Sequence, residues 1–300
     1  MALGYEGWAK LNVNGTDNLM LCTGASIPHD VLRLESNSGY GGTINGIGTT
    51  GIGFPHNYDF AHYSGSINFE LYAAIITNQL KPWIFDRQKA ATVSIQSRKD
   101  NINLHTESFW TSINLSTSAG AVVEGSVGFN VLDYTYDQGG DYIGNKVGNE
   151  YFVSHPGLGI PSPLFTEIPD LTRTDVMIPF WDTSVFIEGN MVEFAAWNLD
   201  FTQDLVTFYA CEDFSTPQPP KFLAAGPMTV AFSGDYMFVN TSSWAAEDFI
   251  NSLYIKIGTE TMWLKRLERN SDKDDVVSGD SMTSIAVDYT AYELDPSSPI

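Results

Sequence analysis

Two cysteines in 300 residues, Cys22 and Cys211, leave no material for a disulfide framework or a cysteine-based zinc site. Buried thiols are expected there, with a bridge between subunits as the alternative. Basic residues are scarce too: 15 Lys and Arg stand against 36 Asp and Glu, a net charge of −21. Such a field repels phosphate and anionic lipid, which excludes nucleic-acid binding through a basic patch. The imbalance is uneven, with 8 bases and 14 acids in residues 1–150 but 7 and 22 in residues 151–300. No run of about 18 apolar residues is present to cross a bilayer. The opening MALGYEGWAKLNVNG has neither a basic n-region nor an unbroken apolar h-region, so synthesis and retention in a cytosol are expected.

Catalytic motifs are also missing. The chain has no G-x-x-x-x-G-K-[ST], no G-x-S-x-G and no H-E-x-x-H. Gly46-Ile-Gly48-Thr-Thr-Gly51 matches G-x-G-x-x-G, and Glu70 lies 19 residues beyond it, but the glycines lead into Ile-Gly-Phe-Pro-His-Asn with no helical period. A loop ordered by a partner is the better reading. The five histidines, at 29, 56, 62, 105 and 155, show no ligand spacing. Asp272, Asp274, Asp275 and Asp280 superficially suggest a calcium loop, yet Val276 and Val277 occupy positions that need a ligand and a glycine. Paired carboxylates of a glycosidase leave no sequence spacing to read. The expectation is a non-enzyme with no catalytic residue, no cofactor and no metal.

What is present is core material: 43% hydrophobic and 13% aromatic residues. Period-2 alternation marks strands at Ala9–Val13, Val31–Glu35, Ser66–Tyr72, Thr92–Gln96, Ser112–Leu115, Val122–Leu132, Ser184–Glu188, Met191–Ala195, Leu205–Tyr209, Met228–Phe232, Leu253–Ile257, Thr261–Leu264 and Thr283–Tyr289. Short helices are predicted in Gln79–Ala90, where Pro82 fits only the first turn, and in Ser243–Ser252 behind a Ser243 cap. The runs from Ser66 and from Met228 both read strand, polar cap, helix, strand, and each is flanked by similar strands. This order predicts a duplicated, mainly β chain: a first domain over 1–134, a linker over 135–165 and a second domain over 166–300. The Gly-rich stretch Asn37–His62 is too long for an idle loop.

The runs Ser66–Ser97 and Met228–Thr259, with closing strands Val122–Leu132 and Ser281–Tyr289, resemble the tail tube proteins of tailed bacteriophages and the related inner tubes of contractile injection systems. The resemblance implies two tandem tube-type β-sandwich or β-barrel domains, each with one short helix. It also implies a virion location after assembly in a host cytoplasm. Duplicated subunits of that family form trimeric, pseudo-sixfold rings that stack into a channel for DNA. The implied partners are further copies of the chain and other tail proteins such as sheath, tube initiator or terminator, with DNA passing unbound and no membrane. Glycine abundance makes Asn37–His62, with Tyr40, Gly46, Gly51 and Phe54, the expected contact between rings. Glu70, Glu124, Glu193 and Asp235 are the expected acids of the channel wall, where repulsion keeps duplex DNA sliding. The competing reading takes the seven tryptophans, at 8, 83, 110, 181, 197, 244 and 263, as a sugar-stacking platform of a carbohydrate- or receptor-binding module.

Overall fold

The computed structural model describes residues 8–13, 15–26, 29–36, 43–44, 47–48, 56–98, 101–138, 142–143, 177–208, 222–237, 248–270 and 284–296. The first half contains β1 (Trp8–Val13), β2 (Thr16–Ser26), β3 (His29–Ser36), β4 (Thr43–Ile44), β5 (Ile47–Gly48) and β6 (His56–Glu70). A helical segment follows, made of α1 (Ala73–Ile75), a π-helical turn (Ile76–Leu80) and α2 (Lys81–Phe85). Then come β7 (Ala91–Arg98), β8 (Asn101–Ser118), β9 (Glu124–Gln138) and β10 (Tyr142–Ile143). The second half contains β11 (Thr183–Ile187), β12 (Asn190–Val192), β13 (Phe194–Phe208), β14 (Phe222–Met237), β15 (Phe249–Ile257), β16 (Glu260–Arg269) and β17 (Ser284–Asp295). The chain is mainly β, as its alternation implies. Among the described residues no helix is long and apolar enough to cross a membrane.

Fifteen strands join one antiparallel sheet whose path is open, ending at β10 and β12. In the first half, β1 lies between β2 and β7, β7 pairs β8, β8 pairs β9, β9 pairs β6, and β6 pairs β2. In the second, β11 lies between β12 and β15, β15 pairs β16, β16 pairs β17, β17 pairs β14, and β14 pairs β13. Only Glu193 separates β12 from β13, so the order of pairing is the same in both halves. The halves meet where β13 pairs β8, from Ala196↔Ser118 to Thr202↔Ser112.

Local chemistry repeats with the topology. The hairpin closed by Val13↔Thr16 turns through Gly15, and the one closed by Ile187↔Asn190 turns through Gly189, both glycines at φ 78°. Two-residue hairpin turns need positive φ, which glycine adopts without a Cβ clash. Glu107 in β8 and Arg266 in β16 also have positive φ, 53° and 55°, and stand 159 residues apart. So do the hairpin-closing pairs Arg98↔Asn101 and Ile257↔Glu260. A left-handed residue inside a strand changes which side chains face the core. Ser108, Phe109 and Trp110 are buried consecutively after Glu107, and Leu264 and Leu267 flank Arg266 at a spacing of three.

The core knits helix and sheet. Ile75, Ile76, Leu80, Trp83 and Ile84 are all buried under the first half, and buried Gln79 accepts the Val13 N–H at 2.8 Å. The Trp110 indole N–H donates to the Trp83 carbonyl at 2.9 Å, and the buried Gln203 amide donates to the Trp110 carbonyl at 2.7 Å. One relay thus ties α2, β8 and β13 together. Glu260, in the β15–β16 hairpin, accepts from Thr77 at 2.9 Å and pairs with Lys81 at 2.6 Å. Burial alone would push the Glu260 carboxyl up, but the bonds to Lys81 and Thr77 outweigh it and hold the group below its ordinary value of 4.5. Lys81→Met is expected to cost about 1 kcal/mol at neutral pH. Because the folded carboxyl is the stronger acid, that difference is full above pH 4.5 and vanishes as acid protonates Glu260, a dependence readable from urea midpoints at pH 7 and pH 3.

Several sequence expectations need correction. The helix expected over Ser243–Ser252 is overturned in its second part, since Phe249–Ile257 is strand β15; Ser243 and Trp244 lie outside the described residues. Ile250 and Leu253 are both buried at a spacing of three, as are the Leu267 and Leu264 they pair, which flank the positive-φ Arg266; the Asn251 and Ser252 N–H groups both point to the Glu188 carboxylate. Helical periodicity and a strand kink share that spacing. The first helix starts earlier than expected, at Ala73, and ends at Phe85, with Pro82 in the first turn of α2. The stretch Asn37–His62 is not irregular throughout: His56–His62 belong to β6 and pair Asp30–Ser36 of β3. The interdomain stretch beginning at residue 135 is strand up to Gln138, where β9 continues to pair β8.

Candidate functional site

The sheet places one phase of six neighbouring strands on a common face. Directly opposed residues share a face of a sheet, so the register defines rows across it. One row runs Glu70, Glu124, Ser116, Asn198, Ser233, Asp288. The next runs Asn68, Ser126, Asn114, Asp200, Ala231, Thr290 and reaches Glu268 on β16. A third holds Ser118, Ala196, Asp235 and Ala286. The opposite phase supplies the core, with Ile113, Leu115, Val127, Leu199, Phe201, Val230, Phe232, Val287 and Tyr289 all buried.

On six strands of this face charge has one sign. Strands β6, β8, β9, β13, β14 and β17 contain neither Lys nor Arg. Glu70, Glu124, Asp200, Asp235 and Asp288 therefore stand on strands without a cation, whereas Glu268, on β16, accepts from the Tyr292 hydroxyl and shares a cleft with Arg266. On β16, the Lys265 ammonium is paired with Asp295 and lies 3.9 Å over the Trp263 ring. At the seam between the halves, the Asn114 amide donates to Asn198 at 2.6 Å and to Asp200, and the Asn198 amide donates to Asp200. That cluster holds the Asp200 carboxylate in place with neutral donors. An open cleft of about 580 Å³ lies on the same face, lined by Ser116, Glu124, Asn198, Ser233, Asp235 and Asp288.

Three of the four acids expected on a channel wall, Glu70, Glu124 and Asp235, lie on this face. Glu193 does not: it sits between β12 and β13 and lines a separate apolar cleft with Trp181, Met191 and Phe194. The reason is the register shift between Phe194 and Ala196, which turns the residues before it out of phase with the rest of β13. Asp200, Asp288 and Glu268 were not singled out by sequence; the polar phase of β13 and β17 was the available signal. Tyr40, Gly46, Gly51 and Phe54, and also Asp272, Asp274, Asp275 and Asp280, lie outside the described residues.

The tryptophan side chains that the structure describes do not gather into one exposed platform. Trp83, Trp110 and Trp197 are core residues, Trp263 is half-buried and Trp181 is widely exposed, at 78%; the side chains of Trp8 and Trp244 lie outside the described residues. Cys22 is a free, half-buried thiol donating to the Gly24 carbonyl at 3.2 Å, and burial pushes it up from its ordinary value. Cys211 lies outside the described residues. Among the described residues no three His, Cys, Asp or Glu side chains gather as a metal site.

No family model and no curated protein matches the chain. Among solved structures, it is similar to a chain of the tail of an empty gene transfer agent particle with C6 symmetry, at 14% identity and a TM-score of 0.33, over 44% of this chain and 96% of that one. It is similar to a chain of the virion of a native gene transfer agent particle, at 12% identity and a TM-score of 0.33, over 44% and 95%. It is also similar to a chain of the baseplate of the anti-feeding prophage, at 11% identity and a TM-score of 0.30, over 45% and 95%. The likeness is to tail, virion and baseplate assemblies, and at these scores it is slight.

Proposed function

We propose that the chain is a structural subunit of a phage-like tail tube, with two tandem β-barrel units per chain and three chains per ring. The observation that carries this reading is the cation-free face, which runs without a break from β6 of the first half to β17 of the second. A wall for sliding DNA needs this composition, because every exposed cation is a phosphate contact that slows passage. The identical pairing order of the halves, and the positive φ at Glu107 and Arg266, support the tandem units. Two like units per chain let three chains close a six-unit ring, and closure removes sheet edges that otherwise aggregate.

Negative-stain microscopy of the purified protein is the test. Rings or filaments with a central hole are expected, whereas a persistent monomer at every concentration tried would end this reading. Ring stacking is assigned to the part of Asn37–His62 that precedes β6, up to Pro55. A chain lacking Tyr40–Pro55 should keep its melting temperature and form single rings but no filaments; filaments of unchanged length would remove the loop from that role.

A further inference from the structure

The two halves are joined by more than their seam. The β8–β13 ladder is a single pair of strands, and neighbouring strands rotate against each other by anything from about 10° to about 35°. One ladder therefore leaves the angle between the halves open. The Gln203–Trp110 bond and the Phe180–Ala121 and Ala119–Ala195 backbone bonds lie at the two ends of that ladder, so they give little leverage over the angle. Two contacts made by the helical segment and the turn after it lie off the ladder.

Midway along the segment, Thr77 and Lys81 hold Glu260, beside the β15–β16 turn, at 2.9 and 2.6 Å. That turn is fixed to its own half, because the Gly258 N–H donates to the Asp182 carbonyl at 2.9 Å. Just beyond the segment, the Arg87 guanidinium donates to the Gly226 carbonyl of β14 at 3.0 Å. The register shift between Gln203 and Leu205 leaves Gly226 and Pro227 out of the β13 ladder, and the pairing of β14 with β17 begins only at Val230 among the described residues. The Gly226 carbonyl is thereby turned over to the other half. Glycine is needed there, since a Cβ would stand 3.0 Å from the Asp204 carbonyl oxygen. Arg87 is pinned in turn: the Trp83 indole, fully buried, donates to the Lys89 carbonyl at 2.9 Å, and the Lys89 N–H donates to the Asp86 carbonyl at 2.9 Å.

We propose that residues 73–89 form a brace that sets the angle between the two halves, with Lys81 and Arg87 as its positioning residues. Contacts away from a hinge axis fix a rotation better than contacts on it, and these two reach separate parts of the second half, the β15–β16 turn and the β14 bulge. In a closed ring the angle within each chain and the angle between chains must add up to a full turn. The brace therefore also sets how many chains close the ring. That consequence rests on the ring of tandem units proposed above, whereas the brace itself does not.

The test uses the full-length wild type, a double variant with Lys81→Glu and Arg87→Met, and a reversed pair with Lys81→Glu and Glu260→Lys. The double variant sets two carboxylates against each other and removes the guanidinium donor, while the reversed pair keeps an ion pair in the opposite order. All three are expected to keep the wild-type circular dichroism. Nitroxide labels at Asn68→Cys and Lys256→Cys, both exposed positions, in a background with Cys22→Ser and Cys211→Ser, read the angle in the monomer. The spread of interspin distances should widen at least about twofold in the double variant and return to the wild-type width in the reversed pair. In negative stain, wild type should close rings of three chains, and the double variant rings of mixed chain number or open arcs. Equal spreads in all three, a reversed pair as wide as the double variant, or three-chain rings alone from the double variant would overturn the brace. If the double variant proves unfolded, Arg87→Met alone takes its place with the same outcomes. A wild type that never assembles sinks the ring and leaves the monomer distances to decide the brace.

Discussion

Trp110→Ala is expected to lose about 3–5 kcal/mol of stability, a large part of the about 5–15 kcal/mol that holds a domain folded. The indole is fully buried where α2, β8 and β13 converge. Deleting it leaves a cavity the rigid sheet cannot collapse around. It also strands the Trp83 carbonyl, which loses its only indole donor. Trp110→Phe keeps most of the volume and removes that donor, so it should cost about 1–3 kcal/mol. Urea midpoints of the two variants separate packing from hydrogen bonding. Equal midpoints for Trp110→Ala and wild type would mean that the indole does not tie α2 to β8.

The second large effect concerns transport. Ser116→Lys combined with Ser233→Lys places two ammonium groups in the row between Glu124 and Asp288. Both serines lie on the exposed phase, so folding should change little. In a ring of three chains the wall would gain about six cations, enough that about six phosphate contacts make retention steeply salt-dependent. Assembled tubes of the double variant should hold duplex DNA at about 50 mM salt and release it at about 200 mM, while wild-type tubes hold none at either. Identical behaviour would show that this face does not line the path of DNA.

Much of the fold could be read from residues alone, because one-sided burial enforces strict alternation. Val122–Leu132 and Thr283–Tyr289 emerge as β9 and β17 for that reason. Acids in clean alternation, such as Glu124 and Asp235, could be assigned to the polar phase. Glu193 could not, because the neighbouring register shift breaks the phase, and a bulge leaves no distinctive residue. The same weakness produced the helix expected at Ser243–Ser252, where kinked strand burial at Ile250 and Leu253 mimics a helical spacing. Asp200 escaped notice because its importance comes from Asn114, 86 residues away in sequence and adjacent only through the β8–β13 seam. No local pattern carries such a contact.

That seam has a mechanical consequence. Its pairs, from Ala196↔Ser118 to Thr202↔Ser112, lie in one unbroken register along two long strands. A force pulling the halves apart along the strand axes loads all of them at once, and they must fail together. A force at right angles opens them singly, like a zipper, and meets only one pair at a time. The chain is therefore built to resist sliding between its halves far better than peeling. Single-molecule pulling through residues at opposite ends of β8 and β13 should give a higher rupture force than pulling through the Ser118 and Ala196 end alone.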